Sequence, residues 1–343
     1  MLFKGEKVKT VKLIILGFGV IGRGFCKVFT RKKKFIREKF NVNLEIVAIC
    51  EIDGSIVNNG GINISDIEKL IDNNKIKLSS HKNWTSTKSA DVLKEIDADI
   101  ALELTPGNIK TGEPGLTHIT TALKNKKHVV TSNKAPIAIQ FNELTELAKK
   151  NNLNLNYEAA VAGAVPLINL YKETLQINNI NSIYGILNGT TNYILTKMTR
   201  DGITLDAALS EAQELGIAET DPTYDIEGID TAVKVVILAN ALMNKNVKFE
   251  DVKVTGISDI TPEAIEVTKK NGFVIKLIGD VQKLEVSPRI IPVNHPLNID
   301  GTLNAVMLET DIAEDITIIG RGAGAKETAS ALFSDVLSIA RGI

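Results

Sequence analysis

Asp230 and Lys234 stand four residues apart, on one face near the start of a helix, and a lysine so placed can be poised to move a proton. They lie in Ile229 to Leu242, which reads as a helix apolar almost all round through Val233, Val235, Val236, Ile237, Leu238 and Ala241. Such a helix is buried, and charged residues are seldom buried unless they are paired or functional. A buried ion pair alone would explain the spacing. It does not explain the segment upstream, Glu219-Thr220-Asp221-Pro222-Thr223-Tyr224-Asp225-Ile226-Glu227-Gly228, a loop of carboxylates that runs onto the lysine. Turn chemistry at Asp-Pro and Gly accounts for some of these acids. A lysine between carboxylates and apolar walls is suited to acid–base work, and the acids beside it to holding a substrate ammonium.

The second constellation binds rather than reacts. Gly17-Phe18-Gly19-Val20-Ile21-Gly22 follows a β-branched apolar run, Val11 to Leu16, and opens a helix expected over Val20 to Phe29. A lone G-x-G-x-x-G is weak, but strand before and helix after is the context a dinucleotide site needs. Gly17 permits the turn, Gly19 the approach of a pyrophosphate, and Gly22 the contact of helix with strand. The helix N-terminus then offers free N–H groups to the anion. Glu51 ends a second strand, Leu44 to Ile49, where a carboxylate meets an adenosine ribose. Ile52 occupies the place where an arginine would suit a 2′-phosphate, which favours NAD; Lys32, Lys33 or Lys69 would serve NADP, so both remain open. Arg31 to Lys34 read as a basic cluster at the helix end.

The elements that must position these groups alternate. Strands are expected at Ala98 to Leu104, His128 to Thr131 and within Asn151 to Ala160, with a helix over Gly115 to Lys126, which implies a parallel sheet of βαβ units. Lys134, in Thr131-Ser132-Asn133-Lys134-Ala135-Pro136, falls just past a strand end, where ligands bind in open parallel sheets. Beyond residue 160, helices over Leu205 to Leu215 and Ile229 to Leu242 precede strands at Val274 to Asp280, Leu284 to Ile291 and Ala305 to Glu309, a pattern of α+β type. A last helix is expected over Lys326 to Ala340.

With 343 residues, two domains are expected. Lys+Arg 40 against Asp+Glu 41 gives a net charge of −1, which suggests neither a nucleic-acid nor a membrane partner. Cys26 and Cys50 form no metal-spaced cluster, and a reducing compartment fits. The first ten residues carry Lys4, Lys7 and Lys9 without a signal-type apolar core, and no apolar run spans a bilayer, so a cytoplasmic protein is expected.

Across nearly its whole length the chain resembles the homoserine dehydrogenase family. The resemblance is carried by Gly17 to Gly22, Glu103-Leu104-Thr105-Pro106, Thr131 to Pro136, Tyr157 to Pro166, Leu187 to Leu195, Leu215 to Lys234 and Gly322-Ala323-Gly324-Ala325. It implies reduction of L-aspartate 4-semialdehyde to L-homoserine with NAD(P)H, on the path to threonine, methionine and isoleucine. Lys234 matches the acid–base lysine, and Lys134 a lysine near nicotinamide and substrate. Glu219, Asp225 and Asp230 match substrate-binding positions, Gly216 lies beside substrate and cofactor, and Thr105 and Gly322 match cofactor contacts. The resemblance further implies a monovalent cation, sodium in type, held by the backbone carbonyls of Glu158, Val161, Gly163 and Val165, although Ala162 and Ala164 stand where glycines are common. A homodimer through the sheet of the second domain is implied as well. Because the sequence stops soon after the last helix, no C-terminal regulatory domain is expected.

Together these give an α/β fold with a Rossmann-type doubly wound sheet over residues 1–137, a C-terminal helix (322–343) returning to it, and a substrate-binding and dimerisation domain over 138–321. Two other readings compete. An acylating aspartate-semialdehyde dehydrogenase needs a cysteine thiolate, and neither Cys26 inside a helix nor Cys50 at a buried strand end suits it. A non-catalytic NAD sensor would keep Gly17 to Gly22 but have no need of Glu219, Asp225, Asp230 and Lys234 together.

Overall fold

The β-branched run near the N-terminus forms β1 (Lys9–Leu16) in a computed structural model that describes residues 8–72 and 77–342; Lys4 and Lys7 lie outside the described residues. β1 is the centre of a seven-stranded sheet with β2 (Val42–Glu51), β3 (Gly54–Val57), β4 (Trp84–Thr85), β5 (Ile100–Glu103), β6 (His128–Thr131) and β7 (Leu155–Asn156), in the order β4-β3-β2-β1-β5-β6-β7. The pairs β1–β2, β1–β5, β5–β6 and β6–β7 are parallel, as the alternating pattern requires. The β3–β4 edge is antiparallel and was not anticipated. Ile52-Asp53 turns the chain straight back on β2, and Asp53-Gly54 is a recognised hairpin signal. Register brings the strand ends level: Leu16 lies opposite Cys50 and Glu103, and Glu103 opposite Thr131.

The helix after the glycines runs Val20–Phe40, eleven residues past the expected end. Phe29 and Ile36 bury the same side, and the helix stops at Asn41, which adopts the left-handed conformation (φ 57°) and donates its N–H to the Arg37 carbonyl. Arg31 to Lys34 are therefore mid-helix residues, not a terminus. Helix Ala325–Gly342 returns to the same core: Phe333 stacks on Phe25 with centroids 4.3 Å apart, while Leu332, Val336 and Ile339 are buried with Phe29 and Ile36. The first compact unit is accordingly Met1–Ala160 with Gly324–Ile343. It extends past the expected boundary at 137 because helix Phe141–Lys150 leads into β7, which pairs with β6. Only Leu155–Asn156 of the stretch 151–160 is strand; Glu158–Ala160 is a 3₁₀ turn whose first N–H donates to the Asp335 carboxylate.

The second unit, Val161–Ala323, contains β8 (Ile180–Ile186), β9 (Lys253–Val254), β10 (Phe273–Asp280), β11 (Glu285–Pro292), β12 (Leu303–Thr310) and β13 (Asp315–Arg321) in the order β13-β12-β8-β10-β11-β9. Every pair is antiparallel except β11–β9. Helices Gly189–Asp201 and Ile229–Met243 pack on this sheet, so helices and strands segregate as expected. Contact is close where a Cβ on Gly279 of β10 would stand 2.8 Å from Val235. Lys276 of β10 is 3% exposed; its amine donates to the Ile299 carbonyl at 2.5 Å and to Asn192 Oδ1 at 3.0 Å. Among the described residues no helix is long and apolar enough to cross a membrane.

Candidate active site

In the second unit Asp230 and Lys234 lie on helix Ile229–Met243, where the apolar pattern put them. Lys234 is 8% and Asp230 4% exposed, and Lys234 Nζ donates to Asp230 Oδ2 at 2.8 Å and to the Leu187 carbonyl at 2.5 Å. Buried charges are stable only when paired and hydrogen-bonded, and here a third residue completes the pairing. Asn188 caps helix Gly189–Asp201 by accepting the Thr191 N–H at 2.9 Å. Its amide nitrogen donates to Asp230 Oδ2 at 2.9 Å and to Asp225 Oδ1 at 2.7 Å. One asparagine thus fixes both carboxylates beside the lysine.

The acidic loop divides in its roles. Asp225 joins the cluster, whereas Asp221 accepts the Thr223 N–H and holds its own turn, and Glu227 bonds the Ser258 hydroxyl. The Glu219 side chain is exposed, and its carbonyl accepts from Gln213. Gly216 (φ 68°) lies in the exposed turn after helix Leu205–Glu214; the neighbouring Ile217 carbonyl accepts from Thr190, two residues from Asn188. Asp225, Asp230 and Lys234 are therefore brought together directly, and Gly216 is tied to the same helix start. Asn188 was not anticipated as a site residue; an asparagine before Gly-Thr-Thr is a helix-start signal that was there to be read.

In the first unit the expected cofactor residues gather at the carboxyl ends of the parallel strands. Gly17 (φ 92°) donates its N–H to the Cys50 carbonyl and passes so close to Leu104 that a Cβ would stand 3.0 Å from that residue's carbonyl. A Cβ on Gly22 would stand 2.2 Å from the Gly17 carbonyl, so helix and strand meet here only through glycine. Gly19 faces open space, and helix Val20–Phe40 begins there without a side-chain cap or an acid in its first turn. Val20 is exposed, Ile21 half-buried and Phe18 buried. Glu51 Oε1 accepts the Phe18 N–H at 2.5 Å, which holds the carboxylate against the glycine turn at the end of β2.

Lys134 begins helix Lys134–Ile139, capped by Asn133 Oδ1, rather than lying in a loop. Pro136 disguised this helix, yet a proline in a first helical turn gives up no hydrogen bond. Thr105 donates its amide N–H to Glu103 Oε1 at 3.1 Å. The lysines considered for a 2′-phosphate sit elsewhere: Lys32 and Lys33 are about 18 Å along the axis from the start of their helix, over the rings of Phe35 and Phe29. Lys69 pairs with Asp66 at 3.6 Å. Lys88 instead donates to the Ile52 carbonyl at 2.9 Å, beside Glu51.

The remaining expected residues are the turn Val161, Gly163 and Val165, together with Glu158 and Gly322. Gly163 (φ 57°) leaves no room for a side chain, since a Cβ would stand 2.4 Å from the Gly322 carbonyl. Gly322 follows β13 with the Asn304 side chain against it. Glu158, in the 3₁₀ turn, is buried. Burial pushes the Cys50 thiol up to about 12 and the Cys26 thiol higher still, so neither supplies the thiolate of an acylating dehydrogenase.

A glycine turn between parallel strand and helix, with a buried lysine–carboxylate cluster in a second α+β unit, is the combination that a nicotinamide-dependent oxidoreductase requires. The sequence model described as homoserine dehydrogenase matches residues 166–337, and that described as its NAD-binding domain matches residues 17–158. The homoserine dehydrogenase of Methanocaldococcus jannaschii is 51% identical over 330 residues, 95% of this chain and 98% of the relative. A crystal structure from Archaeoglobus fulgidus assigned as homoserine dehydrogenase has a TM-score of 0.88 at 41% identity, covering 96% of this chain and 99% of that one. A hyperthermophilic archaeal homoserine dehydrogenase in complex with NADPH has a TM-score of 0.84 at 29% identity, covering 97% and 98%. The chain belongs to the homoserine dehydrogenase family.

Proposed function

We propose that the chain catalyses the reversible, NAD(P)H-dependent reduction of L-aspartate 4-semialdehyde to L-homoserine, within the synthesis of threonine, methionine and isoleucine. The observation that carries this reading is the buried cluster of Lys234, Asp230, Asn188 and Asp225 in a chain that also builds a dinucleotide turn. When bound, the nicotinamide supplies the hydride equivalent. Lys234 gives the proton that the aldehyde oxygen takes up, with Asp230 holding its amine in place and Asn188 holding Asp230. Asp225, Glu219 and the Gly216 turn bind the amino-acid end of the substrate. Gly17 to Gly22, Thr105 and Gly322 contact the cofactor, and Lys134 assists at the substrate end of it.

Glu51, held against the glycine turn, suits a free ribose hydroxyl and favours NAD; Lys88, bonded to the Ile52 carbonyl beside Glu51, is a cation placed to serve a 2′-phosphate. A monovalent cation fits the carbonyls of Val161, Gly163 and Val165, hard oxygen donors on a turn that only glycine completes, with Glu158 the remaining expected donor. A homodimer is supported by exposed Ile290 and Ile319 on the second sheet, and a cytoplasmic site of action by the two buried, unpaired thiols. The test is absorbance of the reduced nicotinamide on adding homoserine with NAD or NADP in turn. Reduction of either supports the assignment; silence with both, in folded protein that still binds nucleotide, would leave the sensor reading.

A further inference from the structure

Glu103 closes β5 at the ligand-facing edge of the first sheet and is 0% exposed. We propose that Glu103 is a positioning residue: its carboxylate locks the Thr105 turn and the start of the Lys134 helix into one arrangement, and the reaction depends on that arrangement. The inference rests on the roles proposed above for Thr105 and Lys134.

Both carboxylate oxygens and the backbone carbonyl of the residue accept hydrogen bonds. Oε1 accepts the Thr105 amide N–H at 3.1 Å, the Thr105 hydroxyl, and Asn133 Nδ2 at 3.3 Å. Oε2 accepts from His118 Nδ1 at 2.7 Å. The Glu103 backbone carbonyl accepts the Thr131 hydroxyl at 2.9 Å and the Ser132 N–H at 3.2 Å. Asn133 carries the connection onward, because its Oδ1 caps the helix by accepting the Ala135 N–H at 3.2 Å. An unbroken line of hydrogen bonds thus runs from Thr105 through Glu103 and Asn133 to the first turn of the Lys134 helix. Glycines close around it: a Cβ on Gly107 would stand 2.1 Å from Asn133 Oδ1, and one on Gly115 2.7 Å from Asn133 Nδ2.

A strand end that needed only packing would be served by an apolar side chain at lower desolvation cost. What a carboxylate provides instead is simultaneous acceptance from two loops and a helix, which fixes groups on different elements relative to one another. Misplacing such groups by about 1 Å can cost about 10²-fold in rate.

The test uses the full chain with Glu103→Ala, Glu103→Gln and Lys134→Ala. Glu103→Ala should lower kcat/KM by about 100-fold, through a raised nucleotide KM and a lowered kcat. Glu103→Gln keeps an acceptor oxygen for Thr105 and Asn133 and should recover to within about ten-fold of the parent. Added to Lys134→Ala, Glu103→Ala should cost little further kcat, because it acts through that helix; independent, additive losses would mark a structural role and overturn the proposal. Parent-like kcat and KM in folded Glu103→Ala would overturn it too. If Glu103→Ala does not fold, Asn133→Ser keeps a helix-capping oxygen but removes the amide that donates to Glu103: a fall in kcat supports the proposal, and parent-like kcat removes it. If Lys134→Ala and Thr105→Val are themselves silent, the failure belongs to the underlying assignment, not to Glu103.

Discussion

Lys234 is held by groups that come from two places in the chain: Asp230 one helical turn away, and the adjacent pair of the Leu187 carbonyl and, through Asp230, Asn188. Each removal therefore has its own signature. Lys234→Ala should lower kcat by about 10²- to 10⁴-fold, the usual worth of a positioned acid–base group. Nucleotide affinity, read by fluorescence titration, should stay near that of the parent; parent-like turnover would take Lys234 out of its role. Asp230→Ala should instead destabilise the fold by about 3–5 kcal/mol in chemical denaturation, since it strands a buried amine. Asp230→Asn, which keeps an acceptor, should fold and lose turnover. At this scale the sequence was informative wherever partners were close along the chain. Asp230 and Lys234 were legible from an i,i+4 pair on an apolar helix. Asn188 was not, because the carboxylates that it bridges lie 37 and 42 residues away. The same distance along the chain hid the ties from Glu103 to His118 and Asn133, 15 and 30 residues on.

Elements with one strong period were found almost to the residue. β1, β6, β10, β12 and helices Leu205–Glu214 and Ile229–Met243 all lie where apolar spacing put them. The misses have physical causes. Helix Val20–Phe40 was cut short because its exposed side is a run of lysine and arginine, although Ile36 continues its buried side. β7 and β4 are two residues each, too short to show a period, and Pro136 masked a helix. Lys276, on β10, gives this scale a measurable test. Burial lowers its pKa from 10.5 to about 8 despite the attraction of Asp300. Between pH 8 and 10.5 the unfolded chain holds a proton there that the folded chain has released, so stability should rise with pH across that window. One proton held by the unfolded chain alone gives a slope of at most about 1.4 kcal/mol per pH unit. Lys276→Met should flatten that slope in thermal midpoints measured against pH, even though the orphaned Ile299 carbonyl and Asn192 side chain lower stability throughout. An unchanged slope would show that the amine is not the titrating group.

For the molecule as a whole, two-unit organisation was legible in the sequence, and so was the place where the pattern of elements changes. The change from alternating to segregated elements pointed to residue 160, the compact unit does end at Ala160, and the expected boundary at 137 left out the helix and short strand that finish the first sheet. The return of helix Ala325–Gly342 matters more for stability than its place in the sequence suggests. It supplies Leu332, Phe333, Val336 and Ile339 to the core beneath the glycine turn. A chain stopped after Ala323 should therefore lose nucleotide binding and show a broadened, lowered melting transition, while the second unit, contiguous over Val161–Ala323, keeps its far-ultraviolet signal.

That closing helix also sets a timetable. A ribosome delivers Phe25 and Phe29 early, yet the side chain that stacks on Phe25 arrives some three hundred residues later. The nucleotide half must wait, its apolar flank uncovered, while the other half emerges with every one of its strands already in hand. Nascent chains of this protein should accordingly complete their second half first and call on holding chaperones for their first.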